Sequence, residues 1–262
     1  MRKLAVGTNI KMYLGYQQTA SWMIGIAAAL SDIPHVETFV FVPAPSLVDA
    51  QRIFSGMPTG YGAQNMHWAA SGPYTGELSA EMLVELGCTH VELGHAERRQ
   101  YFGDTDETVN LKLKRALASQ LRAVVCLGEV DRCTPAAARA HLGDQLGRLL
   151  DGIPPNQAAG FMLAYEPRWA IGVDATAPAD HVQEMHAYIR TVAGCLLGHD
   201  AADKLRIIYG GSIGPCDVST LCSLPDVDGL FIGRSALDVG QFRQMVMDAG
   251  NARIARRDQP QQ

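Results

Sequence analysis

Apolar residues fall along this chain in short unbroken runs. The runs are KLAVGTN (3–9), ETFVFVP (37–43), GYGAQN (60–65), THVELG (89–94), RAVVCLG (122–128), GFMLAYE (160–166), LRIIYGG (205–211) and VDGLFIG (227–233). Most are rich in Val, Ile, Leu, Phe or Tyr and show little polar–apolar alternation, the pattern of strands buried on both faces. Longer amphipathic stretches separate them. DETVNLKLKRALASQ (106–120) places Val109, Leu111, Leu113, Ala116 and Leu117 at helical spacing. Pro178 stands where it can start the helix holding HVQEMHAYIRTVAGCLL. The result is a series of strand-then-helix units, about eight in number, as in the (β/α)8 barrel. The pattern predicts an α/β fold, a (β/α)8 TIM barrel in a single domain over 1–250, followed by a polar tail (251–262, NARIARRDQPQQ) that frays. An open doubly wound sheet is the competing arrangement.

A barrel places its reactive groups just after its strands. The residues there are Asn9 and Lys11 after the first strand, Gln64 and Asn65 after the third, and His95 after the fourth. Glu129 and Glu166 end the fifth and sixth, and GGS (210–212) and GRS (233–235) follow the seventh and eighth. Surface residues unrelated to one another would not fall there so regularly.

Each has a plain reading and a chemical one. The turns YGGS (209–212) and IGRS (232–235) could be simple turns, or their main-chain N–H groups could converge on an anion. Neither is a P-loop, because no G-K-[ST] follows. Glu166 could form a structural ion pair or serve as a general base in a partly desolvated pocket. Lys11 could be solvated or could neutralise a phosphate or an oxyanion. His95 could merely begin a helix, or it could be a neutral donor to a carbonyl, since the helix dipole disfavours imidazolium. The Glu97–Arg98–Arg99 run suits a helix-start ion-pair network.

Composition narrows the partners. Net charge is −5 with 47% hydrophobic and 19% charged residues. No basic face for nucleic acid or an anionic membrane is expected. No apolar stretch approaches the ~18 residues of a membrane span, and the first residues lack the apolar core of a signal peptide. Six cysteines without a C-x-x-C pair suggest free thiols in a reducing cytoplasm. No metal site is expected: His181 and His186 are five apart, not four, and Cys216 and Cys222 lack partners at a ligand spacing.

The motifs N-x-K-M (9–12), GAQN (62–65), TGE (75–77), ELGHAERRQYFG (92–103), CLGE (126–129), AYEPRWAIG (164–172), YGGS (209–212) and VDGLFIG (227–233) occur in this order. Together they resemble the triosephosphate isomerase family over essentially the whole chain. That family is itself a standard example of a glutamate base working with a neutral histidine and a closing loop. The resemblance implies that dihydroxyacetone phosphate and glyceraldehyde 3-phosphate are interconverted through an enediolate, without cofactor or metal. By it, Glu166 shuttles the proton, His95 and Lys11 stabilise the oxygens, Asn9 orients the substrate and Glu97 supports Lys11. Gly172, Ser212, Gly233 and the main chain of Arg234 cradle the phosphate. The lid is Pro167, Arg168, Trp169, Ala170, Ile171, Gly172 and Val173, continuing to 177. The family also implies a homodimer in which the loop 71–77 docks near the partner's first-strand loop, and a place in glycolysis and gluconeogenesis.

Several positions depart from the family pattern: Ile10 for tryptophan, Tyr13 for asparagine, Ala96 for serine, Arg168 in the lid hinge and Arg234 for glycine. QNMHWA (64–69) and GLFIGRSA (229–236) resemble a branch that isomerises L-erythrulose 1-phosphate to D-erythrulose 4-phosphate. That branch is the alternative substrate reading. An inactive phosphate-binding barrel is the alternative of a different kind.

Overall fold

Each apolar run forms a strand, and the eight strands close on one another in sequence order. The computed structural model describes residues 2–33, 35–173 and 175–258. The strands are β1 Leu4–Asn9, β2 Val36–Val42, β3 Gly60–Ala63, β4 His90–Leu93, β5 Arg122–Leu127, β6 Phe161–Tyr165, β7 Arg206–Gly211 and β8 Gly229–Ile232. All pair in parallel, and β8 pairs with β1 to complete a closed barrel. The open-sheet alternative is thereby excluded. The helices are α1 Tyr16–Leu30, α2 Leu47–Phe54, α3 Ala80–Glu85, α4 Ala96–Phe102, α5 Asp106–Ala118, α6 Pro135–Leu149, α7 Ala179–Leu197, α8 His199–Ala202, α9 Val218–Ser223 and α10 Val239–Asp258.

Strand periodicity explains why the runs are apolar throughout. On β2, Phe39 and Phe41 point into the barrel, while Val40 and Val42 face the helices. The interior cluster joins Phe39 and Phe41 to Ala5, Val124, Cys126, Met162, Ala164, Ile208 and Phe231. Burying each phenylalanine contributes roughly 1.5–3 kcal/mol. Phe39 lies so close to β1 that a Cβ on Gly7 would fall 2.0 Å from its ring. Only glycine lets this aromatic plug seat there.

The N-terminal ends of the strands carry buried acids held by several cations. Glu37 accepts from Arg122 at 2.6 Å and Arg206 at 2.8 Å, with His90 Nε2 at 3.6 Å. Burial opposes ionisation of Glu37, but the adjacent His90 and the two guanidinium groups win and hold its carboxyl below the usual range. Asp228 is wholly buried and accepts from Arg2, Arg190, Arg253 and the main-chain N–H of Ile207.

Three local expectations change. β3 ends at Ala63 rather than at residue 65, because Gln64 turns to Asn9 and Lys11 and Asn65 accepts from Lys112. Pro178 is the residue before α7, not its first helical residue. The boundary at 250 falls inside α10, which runs on to Asp258. Phe242, Met245, Val246, Ala249 and Arg253 give α10 a buried stripe at helical spacing, and Arg253 reaches Asp228. A polar composition therefore hid a docked helix over 251–258; residues 259–262 lie outside the described residues.

Candidate active site

At the opposite, C-terminal rim the residues after the strands converge. Lys11 adopts a left-handed backbone with φ 50, a conformation that costs energy for a non-glycine residue. Its surroundings fix it. Asn9 Oδ1 accepts from the Lys11 N–H at 2.5 Å and from Gln64 Nε2 at 2.9 Å, and Gln64 also donates to the Lys11 carbonyl. The Lys11 ammonium is bonded to Glu97 at 2.7 Å. Burial alone would depress Lys11, but the Glu97 bond and the charges of Glu97 and Glu166 outweigh it and raise its pKa above the ordinary lysine value.

His95 caps α4. Its Nδ1 accepts from the Glu97 N–H at 3.2 Å, which leaves the ring proton on Nε2. Nε2 lies 3.9 Å from Glu166 Oε2, too far for a hydrogen bond, and both groups line the same cavity. Glu166 is buried, and its Oε2 has no hydrogen-bond partner among the described residues. Gly210 makes room for it, since a Cβ there would meet the Glu166 side chain at 2.7 Å. Gly210 lies near the end of β7, so the strand itself accommodates the acid.

Two adjoining cavities meet here. Asn9, Lys11, His95 and Glu166 line a small one of about 30 Å³. Gly172, Ser212, Gly233 and Arg234 line the other, about 460 Å³, again with Lys11. Of the site residues expected from the sequence, Pro167, Arg168, Trp169, Ala170 and Glu97 line neither cavity, and Glu97 is bonded to Lys11; the others line one or both. A larger depression, about 1150 Å³, lies at the other end of the barrel around Glu37, His90 and Arg122 and is remote from this chemistry.

The segment 167–173 lies over the cavities and is fastened at several points. The Val173 N–H donates to Ser212 Oγ, and the Ser212 N–H to the Ala170 carbonyl. Ala177 N–H donates to Tyr209 Oη. Trp169 Nε1 donates to Glu129 at 2.8 Å, and Arg132 stacks over the indole. Glu129 is buried, which opposes its ionisation, yet the nearby His181 and bonds from Trp169 and Tyr165 keep its carboxyl below the usual range. Residue 174, within the expected lid, lies outside the described residues.

Sequence reading missed Glu92. It sits within the apolar run of β4, wholly buried, and accepts from Asn9 Nδ2 at 2.5 Å. Burial, and next the charge of Glu166, push its pKa well above the ordinary carboxylate range. A charged residue in the middle of a strand buried on both faces was the available signal. One ligand-type atom from each of Glu92, His95 and Glu166 lies within 4.8 Å of the others.

A buried carboxylate, an imidazole N–H and an ammonium around one small cavity, next to a glycine-lined anion-sized space, define a barrel enzyme built to move protons on an anionic carbonyl compound. The triosephosphate isomerase family model matches residues 4–249, and the chain belongs to that family. It is 40% identical over 248 residues to the triosephosphate isomerase of Herpetosiphon aurantiacus, covering 94% of this chain and 99% of that one. It is 38% identical over 247 residues to that of Chloroflexus aurantiacus, covering 94% and 99%. It is also 40% identical over 258 residues to the L-erythrulose-1-phosphate isomerase of Pectobacterium atrosepticum, covering 95% and 96%.

Proposed function

We propose that the protein interconverts dihydroxyacetone phosphate and glyceraldehyde 3-phosphate. The observation that carries this reading is the convergence of Glu166, His95 and Lys11 on one cavity, with Glu166 Oε2 and His95 Nε2 3.9 Å apart and not bonded to each other. Glu166 takes a proton from the carbon next to the carbonyl, and the electron pair moves onto the carbonyl oxygen. His95 Nε2–H and Lys11 stabilise the resulting enediolate, and Asn9 orients it. The proton returns to the former carbonyl carbon as a hydroxyl proton shifts between the two oxygens. A general base contributes typically ~10²–10⁴-fold, so His95 and Lys11 supply much of the remainder electrostatically.

Gly172, Ser212, Gly233 and the main chain of Arg234 receive the phosphate. The lid Pro167–Val173 excludes water, so that the enediolate is reprotonated before phosphate is eliminated. The chemistry draws on no metal or organic cofactor. The large exposed side chains Met12 and Tyr13 after β1, and Trp68 and Tyr74 after β3, support a homodimer in which the loop 71–77 docks near the partner's first-strand loop. Six free thiols support a cytoplasmic location, where the reaction serves glycolysis and gluconeogenesis. No described helix is long and apolar enough to cross a membrane.

The test is kcat/KM for glyceraldehyde 3-phosphate beside that for L-erythrulose 1-phosphate. The triose phosphate is expected to be the better substrate. A much higher value for the tetrulose phosphate overturns the reading in favour of the activity named for the Pectobacterium relative. Turnover of neither, with inorganic phosphate still bound, leaves a phosphate-binding barrel.

A further inference from the structure

Glu92 has no part in the proton transfer just described, yet it lies against three residues that do. It is on β4 and faces the barrel interior, where Cys126 of β5 approaches its Oε1 at 3.9 Å. Its Oε2 accepts from Asn9 Nδ2. The Asn9 amide has no freedom to turn, because its Oδ1 already accepts from Lys11 and Gln64. Nδ2 must therefore face Glu92.

The titratable and charged groups around Glu92 come from every neighbouring element. They are Lys11 after β1, His95 and Glu97 at the start of α4, Cys126 on β5 with Arg99 beyond it, and Glu166 after β6. Lys11 is already bonded to Glu97, and Arg99 to Asp106 and the Gly94 carbonyl. An oxygen of each carboxylate lies within 4.8 Å of the other, and two charges that close in a buried floor oppose each other's ionisation. Glu166 faces the cavity, whereas Glu92 is 0% exposed and has no cation bonded to it among the described residues. Residue 96, at the head of α4, is alanine and offers Glu166 no hydroxyl.

We propose that Glu92 is a positioning residue: a neutral acid in the floor of the site that accepts from the Asn9 amide and offers a hydrogen-bond donor to the Glu166 carboxylate. Its kinetic part rests on the isomerase reading; its protonation does not. With Oε2 occupied by Asn9, the proton sits on Oε1. A neutral donor stabilises the ionised base in a water-poor site without adding a second negative charge.

Infrared difference spectra of wild type against Glu92→Gln at neutral pH test the protonation. A protonated-carboxyl C=O band is expected in wild type and should vanish in the variant; its absence from wild type overturns the proposal. Kinetics test the positioning. Glutamine keeps a neutral donor, so the acidic limb of the kcat/KM profile should stay in place, with kcat within about threefold. Glu92→Leu removes the donor, and the limb should move up by about one pH unit with kcat down about tenfold. A limb that moves down in either variant means Glu92 was charged, and unmoved profiles in both mean it only fills space. Either result overturns the proposal. Should the leucine variant fail to fold, the glutamine profile and the infrared band decide. Wild type that turns over no triose phosphate strikes the isomerase reading while leaving the band in place.

Discussion

The two ends of the barrel use buried acids in opposite ways. At the N-terminal end, Glu37 and Asp228 are surrounded by Arg122, Arg206 and His90, and by Arg2, Arg190 and Arg253. At the C-terminal end, Glu166 Oε2 has no partner among the described residues, and Glu92 is shared with an amide instead of a cation. The same residue type is satisfied where the barrel needs strength and left short of partners where it needs reactivity. Pairing, not burial, separates the roles: Glu37, largely buried, is held below the ordinary carboxylate range, and Glu92, wholly buried, is pushed above it.

Four experiments can break or sharpen this contrast. The largest effect is expected for Glu166→Gln. Activity should fall by roughly 10²–10⁴-fold while inorganic phosphate binding, measured by calorimetry, stays near wild type. Loss of both together would make Glu166 a structural acid like those below it. Next is Asp228→Ala, which leaves three guanidinium groups around an emptied site. Denaturant unfolding should show a loss of roughly 3–5 kcal/mol, with kcat per folded molecule unchanged.

Smaller and more diagnostic is the pH dependence of thermal unfolding in Glu37→Gln and Glu92→Gln. Glu37 has a depressed folded pKa, so its stabilisation is present above the ordinary carboxylate value of about 4.3 and is lost as pH falls below it. Glu37→Gln should melt below wild type at neutral pH, and the gap should close in acid. Glu92 has a raised folded pKa, so its contribution is present below about 4.3 and is lost as pH rises. Glu92→Gln should melt above wild type at neutral pH, and the gap should narrow in acid. Gaps of the same sign would erase the distinction between the two ends. The smallest effect is expected for Ala96→Ser, which adds one hydroxyl beside His95. It should alter kcat or KM by a few-fold, about what one hydrogen bond is worth, without changing the melting temperature. Unchanged kinetics would mean that residue 96 does not reach the chemistry.

The barrel was legible because strands buried on both faces leave continuous apolar runs, and the runs matched the strands to within two residues at each end. Asn9, Lys11, His95 and Glu166 were legible because the fold fixes where a residue following a strand must sit. The acid pairings at the other end were not. Glu37 meets Arg206, and Arg2 meets Asp228, across most of the chain, and no local spacing encodes such partners. Glu92 was hidden for a related reason: strand periodicity says that it is inside, but only closure of the barrel says what it faces. The docked end of α10 was masked by its own arginines, whose charges read as solvent-facing until Asp228 supplies Arg253 with a partner.

Asp228 has a consequence for how the chain is made. Its ligands come from Arg2, from Arg190 in the seventh helix and from Arg253 in the last. During synthesis this clasp cannot be completed until residue 253 has left the ribosome. The seam between β1 and β8 is therefore also the last to be fastened, and the nascent barrel must wait with its first strand unpartnered on one edge.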